Sequence, residues 1–533
     1  MVTPPPAVTA DRTTLLARAT AGEPFDLIVV GGGATGLGTA LDAAARGFTT
    51  LLVEAEDFAK GTSSRATKLV HGGVRYLAQG NVALVREALR ERKLFLDNAP
   101  HLAQPLAFLV PAYGLSGRLV DLPFYGAGLA IYEALSGSER LGRVGLLGRR
   151  AALAAAPGLE PAGLAGAIRY WDGQFDDARF AVALARTAIR QGACVLNHCR
   201  VERLLIERGG VVGVGIEDRE TGGRFDVRGR CVVNATGVWV DALRQLDEPG
   251  AADLVAPSQG VHLVVDRDHF PSPAAMLVPK TADGRVLFAV PWLGKVILGT
   301  TDTPQTEIPL EPRPLAEEID FILAEARRRL AAPLTRSAIR SAWACLRPLV
   351  KPAGGGTSTQ RISREHTIEI SPHGLVTVTG GKWTTYRAMA EGVLAACFAH
   401  GLLPPRPAGV TRHLRLCGAP AAGAATVPLA DPPGPHLYGA EAPLLAALPG
   451  ADRLLLPGFS EAMVRFAARH ELARTVEDVL ARRSRWLFLD AARAASAATP
   501  VAEILREELG GGFDAAASAA GFIRLAESYR VAT

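Results

Sequence analysis

The sequence predicts an α/β protein in three parts: an N-terminal strand–helix–strand unit, a mostly antiparallel sheet domain inserted into it, and a helical domain at the C-terminus. Three observations carry this expectation. The apolar strand Asp26-Leu27-Ile28-Val29-Val30 runs into a glycine-rich turn, an Ala-rich helix from Leu37 to Arg46, a Gly47 stop and a second strand, Thr50-Leu51-Leu52-Val53. Short apolar strands then alternate with amphipathic helices up to about residue 400. Beyond a Pro-, Gly- and Ala-rich stretch around 404–435 the pattern turns helical.

Each part has its own signals. Strands are expected at Ala193–Leu196, Val211–Ile216, Arg230–Asn234, His262–Val265, Val286–Val290, Val296–Gly299 and Gly374–Thr379. In the C-terminal part, Thr475 and Asp478 form a capping-box pair for a helix through Arg485, and Thr499-Pro500 opens a helix that Gly510 closes. The expected partition is a loose leader over 1–22, a discontinuous first domain of 23–100 with 170–245 and 345–400, and an inserted domain of 101–169 with 246–344. A linker over 401–435 and a helical domain over 436–533 complete it.

Bulk properties bound the function. At 533 residues the chain exceeds one compact core. With 48% hydrophobic and 21% charged residues it is a folded protein, not a disordered one. A net charge of +5 and a pI near 8.9 suit an anionic substrate, a phosphate-rich cofactor or an acidic membrane surface. No basic stripe interleaved with aromatics points to nucleic acid. The six cysteines form no C-x-x-C pair, so they read as reduced, buried thiols, and no metal site is expected. No apolar run is long enough to span a bilayer, so membrane contact would be peripheral. The apolar, glycine-rich stretch Arg118–Arg150 with its flanking arginines is one candidate surface, an ordinary amphipathic helix pair the other reading.

Gly31-x-Gly33-x-x-Gly36 lies between a strand and a helix, where a dinucleotide site requires it. The first glycine makes the tight turn, the second lets the backbone approach a pyrophosphate, and the third lets helix and strand pack closely. Unpaired N–H groups at the helix N-terminus favour the anion. Glu54 is placed to accept hydrogen bonds from ribose hydroxyls. The motif alone does not separate FAD from NAD. That it occurs once, and that Val232-Val233-Asn234-Ala235-Thr236-Gly237 looks like the later strand and turn of flavoproteins, favours FAD on a Rossmann-like domain.

The block Gly61-Thr62-Ser63-Ser64-Arg65-Ala66-Thr67-Lys68-Leu69-Val70-His71-Gly72-Gly73-Val74-Arg75-Tyr76-Leu77 resembles that of the FAD-dependent, quinone-linked glycerol-3-phosphate dehydrogenases. Four further blocks are similar in the same order: Trp171–Arg179, Gly299-Thr300-Thr301-Asp302, Arg347-Pro348-Leu349 and Gly380–Arg387. Cys345 departs from the family, which commonly has glycine there, and Val238 stands where proline often follows. The stretch around Glu477–Leu489 is similar to the family's cap domain.

The resemblance implies oxidation of sn-glycerol 3-phosphate to dihydroxyacetone phosphate, with electrons passed through FAD to a quinone. It implies a peripheral protein on the inner face of the cytoplasmic membrane, and leaves room for a homodimer. Residues expected at FAD are Gly31, Gly33, Gly36, Glu54, Ser63, Ser64, Lys68, His71, Ala235, Gly237, Gly381, Lys382 and Thr384. A phosphate anchor should be cationic, and Arg75, Arg347, Arg364 and Lys382 are candidates, with Tyr76, Thr301 and Asp302 beside the substrate. His262 is the expected base and His71 the alternative, with Arg347 assisting. An oxidase producing hydrogen peroxide, an amine or amino-acid oxidase of the same fold, and a flavin-binding regulatory module stay open as rival readings.

Overall fold

The computed structural model describes residues 10–73, 81–282, 284–351 and 366–532. Arg75, Tyr76 and Arg364 lie outside the described residues.

Five parallel strands form the centre of the first, eight-stranded sheet, in the order Leu375–Gly380, Arg224–Asn234, Phe25–Val30, Thr50–Val53 and Cys194–Leu196, with His366–Ile370, Gly210–Asp218 and Cys199–Glu207 added antiparallel. Their near-continuous apolar runs are what burial on both faces requires: Leu27, Ile28, Val29, Leu51, Leu52, Val232, Val233 and Val376 are all solvent-free. Helices Ala34–Ala45, Asp177–Arg190 and Tyr386–Ala399 pack against one another and this sheet. Gly38 permits the closest approach, since a Cβ there would come within 2.8 Å of the Tyr386 ring.

A second sheet of ten strands is built around the long pairs Ala103–Tyr113 with Leu164–Phe175 and Val255–Asp266 with Ile339–Val350. All its pairings are antiparallel except Ala275–Val278 against Ala103–Tyr113. All seven expected strands are present, several of them longer than expected. The hydrophobic runs marked their centres, while the ends are set by partners that a single strand does not reveal.

Several boundaries move. Leu69–Val70 and Leu164–Phe175 belong to the second sheet, and Ile339–Val350 runs unbroken through the expected break at 344/345, because it pairs with Val255–Asp266 along its length. The leader is not loose throughout: Asp11 caps a helix over Arg12–Ala19. That helix is pinned by the buried pair Arg12–Asp218 at 2.7 Å and by Arg12 donating to the Asn197 carbonyl at 2.6 Å. The 401–435 stretch is irregular but docked, with Leu403, Leu416, Cys417 and Leu429 buried.

The C-terminal helices Glu461–His470, Ala498–Leu509 and Ala515–Ser528 pack together, but their core is continuous with the second sheet through Trp292, Trp343 and Phe488. The region is therefore not separate. Thr475 and Asp478 do make reciprocal capping bonds, at 3.0 and 3.1 Å, although the turn they open widens to π geometry over Asp478–Arg483. That widening places Arg482 and Arg483 on Asp57 of the first domain, which also accepts from Asn197 at 2.9 Å. Beside them His198 lies 2.9 Å from Asp478.

Asp57→Ala would leave the buried Arg483 guanidinium without its anion and take one of three carboxylates from Arg482, a loss of about 3–5 kcal/mol. Scanning calorimetry should show the C-terminal region melting earlier than the rest. A single transition at the wild-type temperature would remove the clamp from the stability of the fold.

Candidate functional site

The glycine loop has the predicted architecture. Gly31 takes φ +110°, and a Cβ there would meet the Ala235 carbonyl oxygen at 2.6 Å; at Gly36 it would meet the Gly31 oxygen at 1.9 Å. These two glycines are fixed by protein packing. Gly33 differs: its added Cβ would meet only Ser63 Oγ, at 3.2 Å. The loop is thus closed by protein at two glycines and open at the one where a pyrophosphate must approach. Behind it the 12-residue helix Ala34–Ala45 starts with no cap from Gly33 itself, and Ser63 takes only the Ala34 N–H, which suits an anion at this end. These residues fit FAD.

Glu54 follows the second strand, half-buried. Its carboxylate accepts from the Gly32 N–H at 2.6 Å and the Glu56 N–H at 2.9 Å. Burial pushes its pKa up, and the two backbone bonds oppose that push. It braces the glycine loop and retains acceptor capacity for a ribose.

Ser63 links the sequence blocks. Its Oγ accepts from the Ala34 N–H at 3.0 Å, and its carbonyl accepts from Trp383 Nε1 at 2.9 Å. Next to Trp383, Thr384 donates to the His71 carbonyl at 3.3 Å. His71 Nδ1 accepts from the Gly73 N–H at 3.1 Å. Gly237 takes φ +66°, and its carbonyl accepts from Thr379 at 3.1 Å. Gly381, at φ +71°, is pressed against Met389, and Lys382 follows half-buried. The blocks from residues 31, 61, 235 and 380 therefore meet at one end of the parallel sheet, where strand C-termini create a crevice.

Across from them stand His262 and Arg347, on neighbouring strands in register through Ser258–Arg347 and His262–Trp343. Arg347 lies over Gly260, where a Cβ would fall 2.1 Å from Nη2. Its Nη2 donates to Thr300 Oγ1 and the Thr301 carbonyl, both at 3.0 Å, and Nη1 is 3.3 Å from Asp302. Asp302 in turn accepts from Ser258 Oγ. Cys345, opposite Gly260, is buried, which pushes its thiol pKa up.

His262 is 1% exposed and stacked on Trp343, with ring centroids 5.4 Å apart. Nε2 shares a 2.9 Å hydrogen bond with Thr67 Oγ1, and Nδ1 has no partner among the described residues. Burial, reinforced by the Lys68 and Arg347 cations, holds its pKa well below 6.5. The imidazole is neutral at neutral pH.

Two expected site residues play other parts. Lys68 is fully buried, with Nζ 2.6 Å from Asp177 and 2.8 Å from the Ser64 carbonyl, so its ammonium supports the pocket from behind instead of reaching a cofactor. Burial lowers its pKa to about 8 even with Asp177 opposing. Thr301 spends its hydroxyl on Glu318 at 2.7 Å while accepting from the Val261 N–H at 3.0 Å, and is 1% exposed; its hydroxyl shapes the turn instead of standing beside the substrate. Sequence reasoning missed Thr67, Trp343, Asp177 and Arg485. Thr67, Asp177 and Arg485 carried a signal only through their places in the 61–77, 171–179 and 477–489 stretches, and Trp343 carried none. A cavity of about 230 Å³ lined by Tyr113, Asp121, Tyr125, Lys280 and Arg329 shares no residue with this site.

Comparison with known proteins agrees with this geometry. A family model described as FAD dependent oxidoreductase matches residues 26–387, and one described as the C-terminal domain of alpha-glycerophosphate oxidase matches residues 410–515. The chain is 40% identical over 537 residues to a probable mitochondrial glycerol-3-phosphate dehydrogenase of Caenorhabditis elegans, covering 95% of this chain and 73% of that one. It is 41% identical over 509 residues to glycerol-3-phosphate dehydrogenase 2 of Mycobacterium bovis, covering 92% and 85%. A crystal structure of the Bacillus halodurans glycerol-3-phosphate dehydrogenase complexed with FAD superposes with a TM-score of 0.76 at 29% identity, covering 98% of this chain and 97% of that one. With the glycine loop open where FAD must lie and the similarity running through the C-terminal region, the chain belongs to the FAD-dependent glycerol-3-phosphate dehydrogenases.

Proposed function

We propose that this protein oxidises sn-glycerol 3-phosphate to dihydroxyacetone phosphate at the crevice between the two sheets and passes the electrons to a membrane quinone. The observation that carries the reading is the facing arrangement: a neutral, buried His262 and a fixed Arg347 guanidinium opposite the Ser63–Thr67 segment that touches the glycine loop. FAD, when bound, accepts the hydride.

The protein supplies the remaining work. His262, neutral and with Nδ1 unsatisfied, takes the hydroxyl proton. Arg347 and Lys382 hold the phosphate so that binding energy there orients the reacting carbon. Asp302, Thr300 and the Thr301 carbonyl fix the guanidinium beforehand, so less rotamer freedom is lost on binding. Gly31, Gly33, Gly36, Glu54, Ser63, Ser64, His71, Ala235, Gly237, Gly381 and Thr384 surround the cofactor.

The peripheral membrane reading rests on one surface. Leu115, Leu119, Val120, Phe124, Ile131 and Leu146 are each more than half exposed, on and beside the helix Leu122–Ser136. Arg118, Arg140, Arg143, Arg149 and Arg150 are exposed beside them. Apolar side chains set among cations suit an acidic bilayer surface. Among the described residues no helix is long and apolar enough to cross a membrane.

Anaerobic titration with glycerol 3-phosphate should bleach the flavin absorbance of the purified protein stoichiometrically, and Gly33→Val should abolish FAD retention. A fully yellow Gly33→Val protein would remove the loop from the cofactor site.

His262→Ala should slow flavin reduction by about 10²–10⁴-fold. Because the native pKa of His262 lies well below 6.5, the base is already deprotonated near neutrality. The wild-type rate should be flat from about pH 6.5 upward and decline only in acid. An inflection at pH 6.5 or above in rapid-mixing rates would give the proton transfer to another group.

Arg347→Ala should raise KM and lower kcat together, a combined loss of about 1.5–3 kcal/mol for one charge-assisted contact. Unphosphorylated glycerol should be a very poor substrate of the parent enzyme. Equal turnover of glycerol and glycerol 3-phosphate would make the anchor assignment wrong.

Leu119→Asp with Phe124→Asp should abolish co-sedimentation with vesicles containing anionic phospholipid and leave turnover with a water-soluble quinone analogue intact. In air alone, the wild type should turn over more slowly than with that quinone. Faster peroxide formation than quinone reduction would favour the oxidase reading.

A further inference from the structure

Arg485 belongs to the C-terminal helical region, yet its side chain ends behind the candidate active site with no solvent exposure. It donates to the Ser64 carbonyl at 2.9 Å, to Asp177 at 2.8 Å and to its own Ala481 carbonyl at 2.7 Å, and its Nε lies 3.2 Å from Asp176. The Ser64 carbonyl also receives Lys68 Nζ, and Asp177 also receives the Ala66 N–H at 3.0 Å. Three anchor points, at Ser64, Ala66 and Lys68, therefore grip the segment Ser64–Lys68 from behind.

That segment needs gripping. Lys68 takes φ +65°, a left-handed conformation that a non-glycine residue adopts at a cost and keeps only where its surroundings impose it. On the front face the same few residues make the contacts that matter for chemistry. Ser63 Oγ accepts from the Ala34 N–H at the start of the glycine-loop helix, and Thr67 Oγ1 bonds His262 Nε2. Trp343, on which His262 stacks, also lies over the Lys68 ammonium and packs edge-on against Phe488, three residues after Arg485.

We propose that Arg485 is a positioning residue for the reaction: it holds the Ser63–Lys68 segment so that Thr67 fixes the ring of His262 and Ser63 holds the cofactor loop. The C-terminal region then contributes to catalysis while supplying no atom to the pocket. The inference rests on the role given to His262 above.

Arg485→Lys keeps the charge and loses the planar fork, so only part of the grip survives. In the FAD-loaded enzyme this variant should lower kcat with glycerol 3-phosphate tenfold or more and leave KM within about twofold. The visible circular dichroism of the oxidised flavin should change even without substrate. Thr67→Val leaves the ion cluster whole and breaks only the bond to His262, and it should reproduce the kcat loss with a wild-type melting temperature. Wild-type kcat in either variant would overturn the proposal. So would an Arg485→Lys loss that excess FAD fully restores, since the role would then be retention alone. If glycerol 3-phosphate fails to reduce even the wild type, the substrate reading falls. The substrate-free dichroism change in Arg485→Lys would then still support positioning of the flavin segment, and its absence would overturn that as well.

Discussion

Asp176 and Asp177 sit at the start of the helix Asp177–Arg190 with no solvent exposure, and they face two cations just as buried, Lys68 and Arg485. Four charges removed from water demand near-complete pairing, because an unpaired partner in the interior is far more costly than the pair is favourable. The pairing is dense: Asp177 alone accepts from Lys68, Arg485 and the Ala66 and Ala178 N–H groups. The four charges come from three different stretches of chain. The carboxylates belong to the helix on the first sheet, Lys68 to the segment bordering the cofactor loop, and Arg485 to the C-terminal region. Trp292 and Trp343 of the second sheet, with Phe488, lie 4.4–5.4 Å from one or both cations. Satisfying this one cluster fixes the relative placement of all three parts.

The candidate site inherits its electrostatics from that arrangement. His262 is neutral because it is buried and because Lys68 and Arg347 both oppose its protonation. In the proposed role of base it needs no titration near neutral pH to act. Arg347 is likewise prepared in advance by Asp302 and by the absence of a side chain at Gly260, which clears the volume the guanidinium occupies. Rigid sheets carry both residues, which suits a reaction that depends on alignment of a reacting carbon.

The C-terminal helices are joined to this arrangement by more than packing. Arg482 and Arg483 reach Asp57, Arg179 reaches Glu471 at 2.9 Å, and Arg186 reaches Glu441 at 2.6 Å. All these pairs are largely or wholly buried, so they specify one docking geometry more than they add stability. The apolar helix Leu122–Ser136 stands apart from them, its exposed Phe124 and Ile131 side chains unmatched by any of these contacts.

The sequence by itself determined what depends on neighbours along the chain. The strand–loop–helix unit with Gly31, Gly33 and Gly36 was legible because its strand, turn and helix follow one another along the chain. The Thr475–Asp478 capping box and the Gly510 stop were legible for the same reason. Tertiary structure decided the rest. Lys68 read as a cofactor contact because it lies in a recognisable block, but its ammonium turns inward to Asp177, 109 residues away. Arg485 lies 308 residues from the same carboxylate, and its place in the 477–489 stretch did not reveal that partner. Thr301 and the uninterrupted strand Ile339–Val350 were misjudged because a hydroxyl's partner and a strand's end are set by what packs opposite. Charge pairing and strand pairing act through space, and the spacing of residues along one chain does not encode them.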